Sequence, residues 1–414
     1  MTNFQQGLNW NPNAHLVCVS CQSKFELGVI WTGCPTCGDG SPLVVGYAEI
    51  PLPDGPADLA KNASYLAEHL LPVASRDLLN LGQGNTPLLP AHTLGENIWL
   101  KIEGQNPTGS HKDRFHAISE AIARGLGYKA AVTSSTGNHG ASCAAYSAAA
   151  GLDSLVLLNP DSPPALRSQI RSYGGAIAVL PGQVSSTISR LVDGGWYPST
   201  GADPSLVGRG NPYGTEGYKK IAYEIFADLG RIPDVVAIPA ASGDTYFGIW
   251  KGFRELHERL GLNMPLLLAC QPVGSAPLSL TEKRRATAPQ VVKDARSLAI
   301  SARDDRSGWH ATLALRANGA AIEVSEDDLC LEVKKLGRLG LCVEPASALA
   351  TAGLRLAKAA GLTSDYSQAV AIITSSGLNW TRDLDIIFGE APRVFNDTAA
   401  LDEYLASKIL PSDA

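Results

Sequence analysis

A chain of 414 residues is too long for one small core, so two or three domains are expected. An apolar fraction of 45% excludes disorder as the default, and a formal net charge of −6 argues against nucleic acid or an anionic membrane as the main partner. No run approaches the roughly 20 apolar residues of a membrane span, and "MTNFQQGLNWNPN" lacks the basic-then-apolar order of a signal peptide, so a cytoplasmic enzyme is expected.

The first element is "CVSCQSKFELGVIWTGCPTC", which sets Cys18, Cys21, Cys34 and Cys37 in the order C-x2-C-x12-C-x2-C. In a reducing compartment four thiolates so spaced close around one ion at about 2.3 Å, leaving no open position; this predicts a structural Zn2+ ribbon. The alternative is two unrelated pairs of buried cysteines. Lys24 is the only basic residue between the outer cysteines, which speaks against a nucleic-acid-binding ribbon. Residues 51–60, "PLPDGPADLA", read as a linker. Cys143, Cys270, Cys330 and Cys342 lie in apolar segments and read as core residues.

From residue 98 onward apolar runs alternate with Ala-rich helical stretches. "AAVTSS" (130–135), "SLVLLNP", "AIAVLPG", "DVVAIPA" (234–240), "PLLLACQP", "AIEV" and "AVAIITSS" (369–376) read as strands, with two helices over 325–360. Continuous apolar strands bounded by turns predict parallel sheets covered on both faces, in an α/β protein with two sheet domains. The segment 280–308 is charged and poorly periodic; its first half reads as a solvated loop.

Three strand ends carry small polar loops: "TSSTGNHGAS" (133–142), "PAASGDTYFG" (239–248) and "ITSSGLNW" (373–380). Such loops offer amides and hydroxyls without bulk, at the sheet edge where α/β proteins bind ligands. None matches a dinucleotide or Walker glycine pattern. Each alone is equally an ordinary helix cap. Together with Lys112, at a fourth loop–helix junction in "SHKDR", they point to an anionic small molecule or cofactor.

The motifs "NPTGSHKDR" (106–114), "SSTGNHGAS" (134–142), "NPYGTEGYKKIAYEI" (211–225), "VEPASALATAGL" (343–354) and "TSSGLNW" (374–380) resemble, in order, those of threonine synthase. More broadly they resemble the fold type II (tryptophan synthase β-like) pyridoxal-phosphate enzymes. The cysteine spacing also resembles a segment of some threonine synthases. The resemblance implies two open, twisted sheet domains plus the ribbon: residues 1–47, then 48–112 with 226–414, with 113–225 inserted. It implies a small amino-acid substrate and pyridoxal 5'-phosphate; a homodimer is expected only as the commonest soluble oligomer. Lys112 then forms the Schiff base and moves the α-proton. Asn138 bonds the cofactor 3′-oxygen, and Ser135, Thr136 and His139 hold the substrate. Ala241, Ser242, Gly243, Asp244 and Thr245 form the phosphate loop, and Thr374 (with Ser376 as neighbour alternative) faces the pyridine nitrogen. A hydroxyl there makes a weaker electron sink than a carboxylate, suiting elimination and replacement.

Departures are as informative. Gly214 stands where the family's arginine holds a substrate phosphate, leaving Arg209, Arg303 or Arg306 as substitutes and Asn211 as a substrate contact. Asp244 in a phosphate loop is repulsive unless its side chain turns away. His111 replaces a phenylalanine and is expected to cover the cofactor as that ring would. Asp113 and Arg114 read as a helix-start pair fixing Lys112. Three functions follow: a threonine-synthase-type lyase on an amino acid with a β- or γ-leaving group (O-phosphohomoserine to threonine in the family); a serine/threonine dehydratase-like or β-replacing enzyme, which "GNHG" resembles; and a zinc-ribbon binding protein with an inactive domain.

Overall fold

The computed structural model describes residues 8–38, 40–52, 58–180, 182–363, 368–389 and 394–408. Strands β1 (Ala14–Cys18), β2 (Lys24–Phe25) and β3 (Leu43–Tyr47) form a small antiparallel sheet in the order β2-β1-β3. Strands β4 (Leu88–Pro90) and β5 (Ile98–Ile102) open a second sheet, which the chain leaves and later completes. In between, β6 (Ala130–Ser135), β7 (Asp153–Leu158), β8 (Ala176–Val179) and β9 (Tyr197–Pro198) build a parallel sheet ordered β8-β7-β6-β9. Then β10 (Val235–Pro239), β11 (Leu266–Pro272), β12 (Gly319–Val324) and β13 (Ala369–Ile373) complete the six-stranded order β12-β11-β10-β13-β5-β4, parallel except for the edge strand β4.

The expected α/β architecture is what the chain forms. Every residue of β10 and β13 is buried, as continuous apolar strands require when helices cover both faces. Alternate residues then serve opposite faces. Val235, Ala237, Ala369 and Ala371 pack with Leu349, Ala350 and Leu354 of the helix Leu349–Ala359. Val236, Ile238, Val370 and Ile372 pack with Phe247, Trp250, Phe253 and Leu256 of the helix Asp244–Leu260. Complete burial of a side chain such as Phe or Leu contributes roughly 1.5–3 kcal/mol, which is why these central strands dominate the core.

One expectation needs correction and one is outside reach. Cys143 and Cys270 are buried, but Cys330 is half-buried and Cys342 exposed, because Cys342 sits in the turn after Gly340 rather than in an apolar strand. In the second half of 280–308, which the solvated-loop reading does not cover, Ser301, Arg303 and Asp304 line a cavity. Residues 53–57 of the expected linker lie outside the described residues, and a helix, Leu59–His69, starts directly after them. Among the described residues no helix is long and apolar enough to cross a membrane.

Candidate active site

Four site loops leave the carboxyl ends of parallel strands β5, β6, β10 and β13, the edge at which open α/β sheets bind ligands. The helix Lys112–Gly125 follows β5, the helix Asn138–Ala150 follows β6, and the helix Asp244–Leu260 follows β10. Each helix leaves its first amides without intrahelical partners, so three helix starts converge on one region. A cavity of about 420 Å³ lies there, lined by Lys112, Ser135, Thr136, Asn138, His139, Ala241, Ser242 and Asp244, among others.

Lys112 is placed by its neighbours. Asp113 and Arg114 do not pair with each other as expected. Asp113 turns back to accept bonds from Thr108 N (2.7 Å) and Thr108 Oγ1 (2.5 Å), closing the loop that precedes the helix. Burial raises its carboxyl to about 6. Arg114 makes two bidentate contacts, to Glu103 (2.6 and 2.7 Å) and to Glu224 (2.6 and 2.7 Å), and is itself buried. Lys112 Nζ lies 5.4 Å from the centre of the Tyr218 ring. Burial lowers its pKa, against the opposing pull of Asp244 and Glu344, so the neutral amine is easier to reach than in water.

Asn138 is buried and donates to Glu344 Oε2 (2.6 Å) and Ser375 Oγ (3.2 Å). Ser301 and Ser375 hydroxyls also donate to Glu344, whose carboxyl is raised by burial. Glu344 lies inside the quoted "VEPASALATAGL" yet was missed, because only tertiary structure brings it beneath Asn138. Thr374 and Ser376 are not among the residues lining the cavity; Thr374 Oγ1 lies 3.0 Å from Ser347 Oγ, and Ser376 caps Leu378 N. His111 does more than cover a surface. Its Nδ1 is 3.1 Å from the Thr374 carbonyl, which can only accept, so Nε2 is left to accept from Thr245 Oγ1 at 2.9 Å. It bolts the residue after β13 to the start of the helix Asp244–Leu260, which a phenylalanine cannot do.

Asp244 turns its carboxylate toward His310 Nε2 (2.8 Å) and accepts from Ala202 N (3.2 Å). Burial alone would raise its pKa, but His310 and the Ala202 amide hold it down at about 2. The preceding Gly243 has φ +108°, and a Cβ there would stand 2.3 Å from Ala311 Cβ, so only glycine fits this turn. The arrangement fits a phosphorylated cofactor: a partly buried lysine, small residues and a helix start face one cavity, with the loop's acid paired elsewhere.

Two expected substrate residues are not brought to the cavity. Arg209 is held by Asp193 (2.7 and 2.9 Å), Ser189 and the Gly208 carbonyl. Asn211 is fully buried and spends its amide on Ser119, Tyr197 and Pro198 and its carbonyl on Tyr213 N. Arg303 does line the cavity, and Arg306 is exposed. Far from the cavity, all four sulfurs of Cys18, Cys21, Cys34 and Cys37 lie within 4.8 Å of one another. Cys18–Cys37 and Cys21–Cys34 are each 3.7 Å apart, and the Ser20 and Cys21 amides point at Cys18 Sγ.

Residues 79–375 match the family model described as pyridoxal-phosphate dependent enzyme. The chain belongs to that family. It is a pyridoxal-phosphate-dependent lyase, threonine synthase-like in sequence. It is 33% identical over 323 residues to a threonine synthase of Halalkalibacterium halodurans (75% of this chain, 87% of that one). It is 30% identical over 374 residues to one of Methanosarcina acetivorans (87% and 91%). The fold matches a T.th. threonine deaminase (TM-score 0.59, 21% identity, 76% of this chain and 94% of that one) and maize serine racemase (TM-score 0.62, 18%, 74% and 92%).

Proposed function

We propose that this enzyme catalyses elimination or replacement on an amino acid bearing a leaving group at Cβ or Cγ, with Lys112 as the cofactor-bearing and proton-moving residue. The observation that carries this is Lys112 itself: half-buried, lowered in pKa by desolvation, and in one cavity with Asn138 and the loop after β10. Bound pyridoxal phosphate supplies a sink for negative charge developing at Cα. Lys112 would hold the cofactor, then as a free amine take and return the substrate α-proton. Asn138, fixed by Glu344 and Ser375, would orient the cofactor ring. The amides of Ser242 to Thr245 would take its phosphate, and the β13 end at Thr374 would face its ring nitrogen. Ser135 and Thr136 would hold the substrate carboxylate. The relatives' name favours O-phosphohomoserine as substrate; the hydrogen-bonding of His139 and the blocked space at Gly214 favour a non-phosphorylated one. The intact Lys112–Asn138 pair disfavours an inactive binding protein.

The same reading includes a structural Zn2+ on Cys18, Cys21, Cys34 and Cys37 of an N-terminal ribbon. Bonds of about 2.3 Å to a tetrahedral ion put sulfurs about 3.8 Å apart, close to the 3.7 Å separations found. It also includes the unit limits 1–47, 48–112 with 226–414, and 113–225, a cytoplasmic location, and a homodimer, the commonest closed oligomer. The test is spectroscopic. Purified protein mixed with pyridoxal phosphate should show a visible band of lysine-bound cofactor that Lys112→Ala removes; an unchanged band in that variant would falsify the assignment.

A further inference from the structure

We infer that the cavity selects a substrate whose departing group is an uncharged hydrogen-bond donor, a hydroxyl on Cβ, and that Nδ1 of His139 is the acceptor that recognises it. This rests on the lyase reading above and deepens it.

The tautomer of His139 follows from its partner. Nε2 lies 3.0 Å from the Ser199 carbonyl, which can only accept, so Nε2 carries the hydrogen. Burial, with His116 and Lys112 nearby, lowers the ring's pKa well below the usual range and keeps it neutral. Nδ1 is then a lone pair. It has no partner among the described residues, and the ring lines the cavity. A neutral acceptor there favours a group that can donate. A phosphate dianion cannot donate.

The position at Gly214 beside His139 is closed to a compensating cation. The Phe115 ring lies 5.0 Å from the His139 ring and fills the position a side chain at Gly214 would need. A Cβ on Gly214 would stand 2.2–2.4 Å from three Phe115 ring carbons. The charge around the cavity leads the same way. Among its described lining residues the cations are Lys112 and Arg303, and the carboxylates are Asp203, Asp244 and Asp304. Lys112 is taken up by the cofactor and the α-proton, and Arg303 Nη2 is already 2.8 Å from Asp161 Oδ2. A second phosphate would meet the like charge of the cofactor's own phosphate, with no free cation among these lining residues. A hydroxyl meets an unpaired acceptor.

The implied net reaction on L-serine balances simply. The Cα proton and Cβ hydroxyl leave as water; one water is then returned as the amino group departs as ammonia, giving pyruvate. The experiment uses the enzyme loaded with pyridoxal phosphate, with L-serine, L-threonine, O-phospho-L-serine and O-phospho-L-homoserine as probes. Oxo acid and inorganic phosphate are measured, and binding is followed by the cofactor band. The hydroxy amino acids should win in kcat/KM by at least about 100-fold, the scale on which a site built around a hydroxyl rejects ligands that do not match it. Faster phosphate release from either ester, or turnover of none of the four by band-positive enzyme, overturns the inference. A missing band instead sinks the cofactor reading beneath it. His139→Phe should raise KM for L-threonine roughly 10- to 100-fold while binding of L-alanine, which has no hydroxyl, shifts less than about twofold. Equal loss for both ligands means a merely structural histidine and overturns the role. If that variant does not fold, the wild-type comparison still decides.

Discussion

Replacing Arg114 by methionine should destabilise the protein strongly and disturb the lysine two positions earlier. The guanidinium donates four bonds of 2.6–2.7 Å, two to Glu103 and two to Glu224. Glu103 is completely buried, so its charge cannot be rescued by water. Breaking a buried pair by removing one partner costs about 3–5 kcal/mol, because the other charge is left uncompensated. The low end applies here. Glu103 keeps Thr86 Oγ1 (2.6 Å) and Asn106 Nδ2 (3.0 Å), and Glu224 keeps Lys101 Nζ at 2.8 Å. Urea unfolding followed by tryptophan fluorescence should therefore show a loss of about 3 kcal/mol in Arg114→Met. Adding Glu103→Gln should recover about 1–2 kcal/mol, since an amide costs less to bury alone than a carboxylate. A loss below about 1 kcal/mol, or a double variant no more stable than the single one, refutes the claim that this network anchors the helix start.

Glu120 provides a pH test. It is fully buried beside His116 Nδ1 (3.0 Å), and burial raises its pKa to about 8. A carboxyl raised above its unfolded value favours folding fully only below the unfolded pKa of about 4.3, and that contribution is lost as pH rises toward 8. Stability should fall with pH by up to about 1.4 kcal/mol per unit from this group; Glu120→Gln should flatten the slope, with its gain larger at pH 8 than at pH 5, and a parallel pair of urea profiles sinks the assignment. Treating the protein with a strong chelator should release about one zinc per chain and lower the melting temperature, as closed four-thiolate sites contribute directly to folding; metal content near zero in carefully purified protein defeats the zinc reading.

The parts legible in the sequence are those written in local pattern. Buried parallel strands announce themselves as unbroken apolar runs, so "AAVTSS" coincides with β6 and "DVVAIPA" contains β10. The cysteine spacing was equally local. What stayed hidden depends on contacts between residues far apart in the chain. Glu344 meets Asn138 across 206 positions, and His111 joins Thr374 across 263. Arg209 illustrates the opposite failure: its type suits a phosphate, but Asp193 on a neighbouring helix claims it. Residue type suggests what a side chain can bind, and the fold decides whether anything else has bound it first.

By the same reasoning, the small N-terminal sheet, with its four-cysteine cluster, has a structural role. This region touches the segment that closes over Lys112. Gly28 N donates to Tyr213 Oη (2.8 Å), which donates in turn to the Gly28 carbonyl (2.6 Å), and Gly210 N donates to the Trp31 carbonyl (2.8 Å). From β3, Tyr47 Oη reaches Glu216 at 2.6 Å, and the Val45 carbonyl accepts from Lys251 at 2.5 Å. Residues 210, 213 and 216 are thereby tied to this region on one side, while Tyr218 stands over Lys112 on the other. A short irregular segment has little hydrogen bonding of its own to fix it, so an outside brace is needed to hold a ring beside a reactive amine. The N-terminal sheet region supplies that brace from residues 28, 31, 45 and 47.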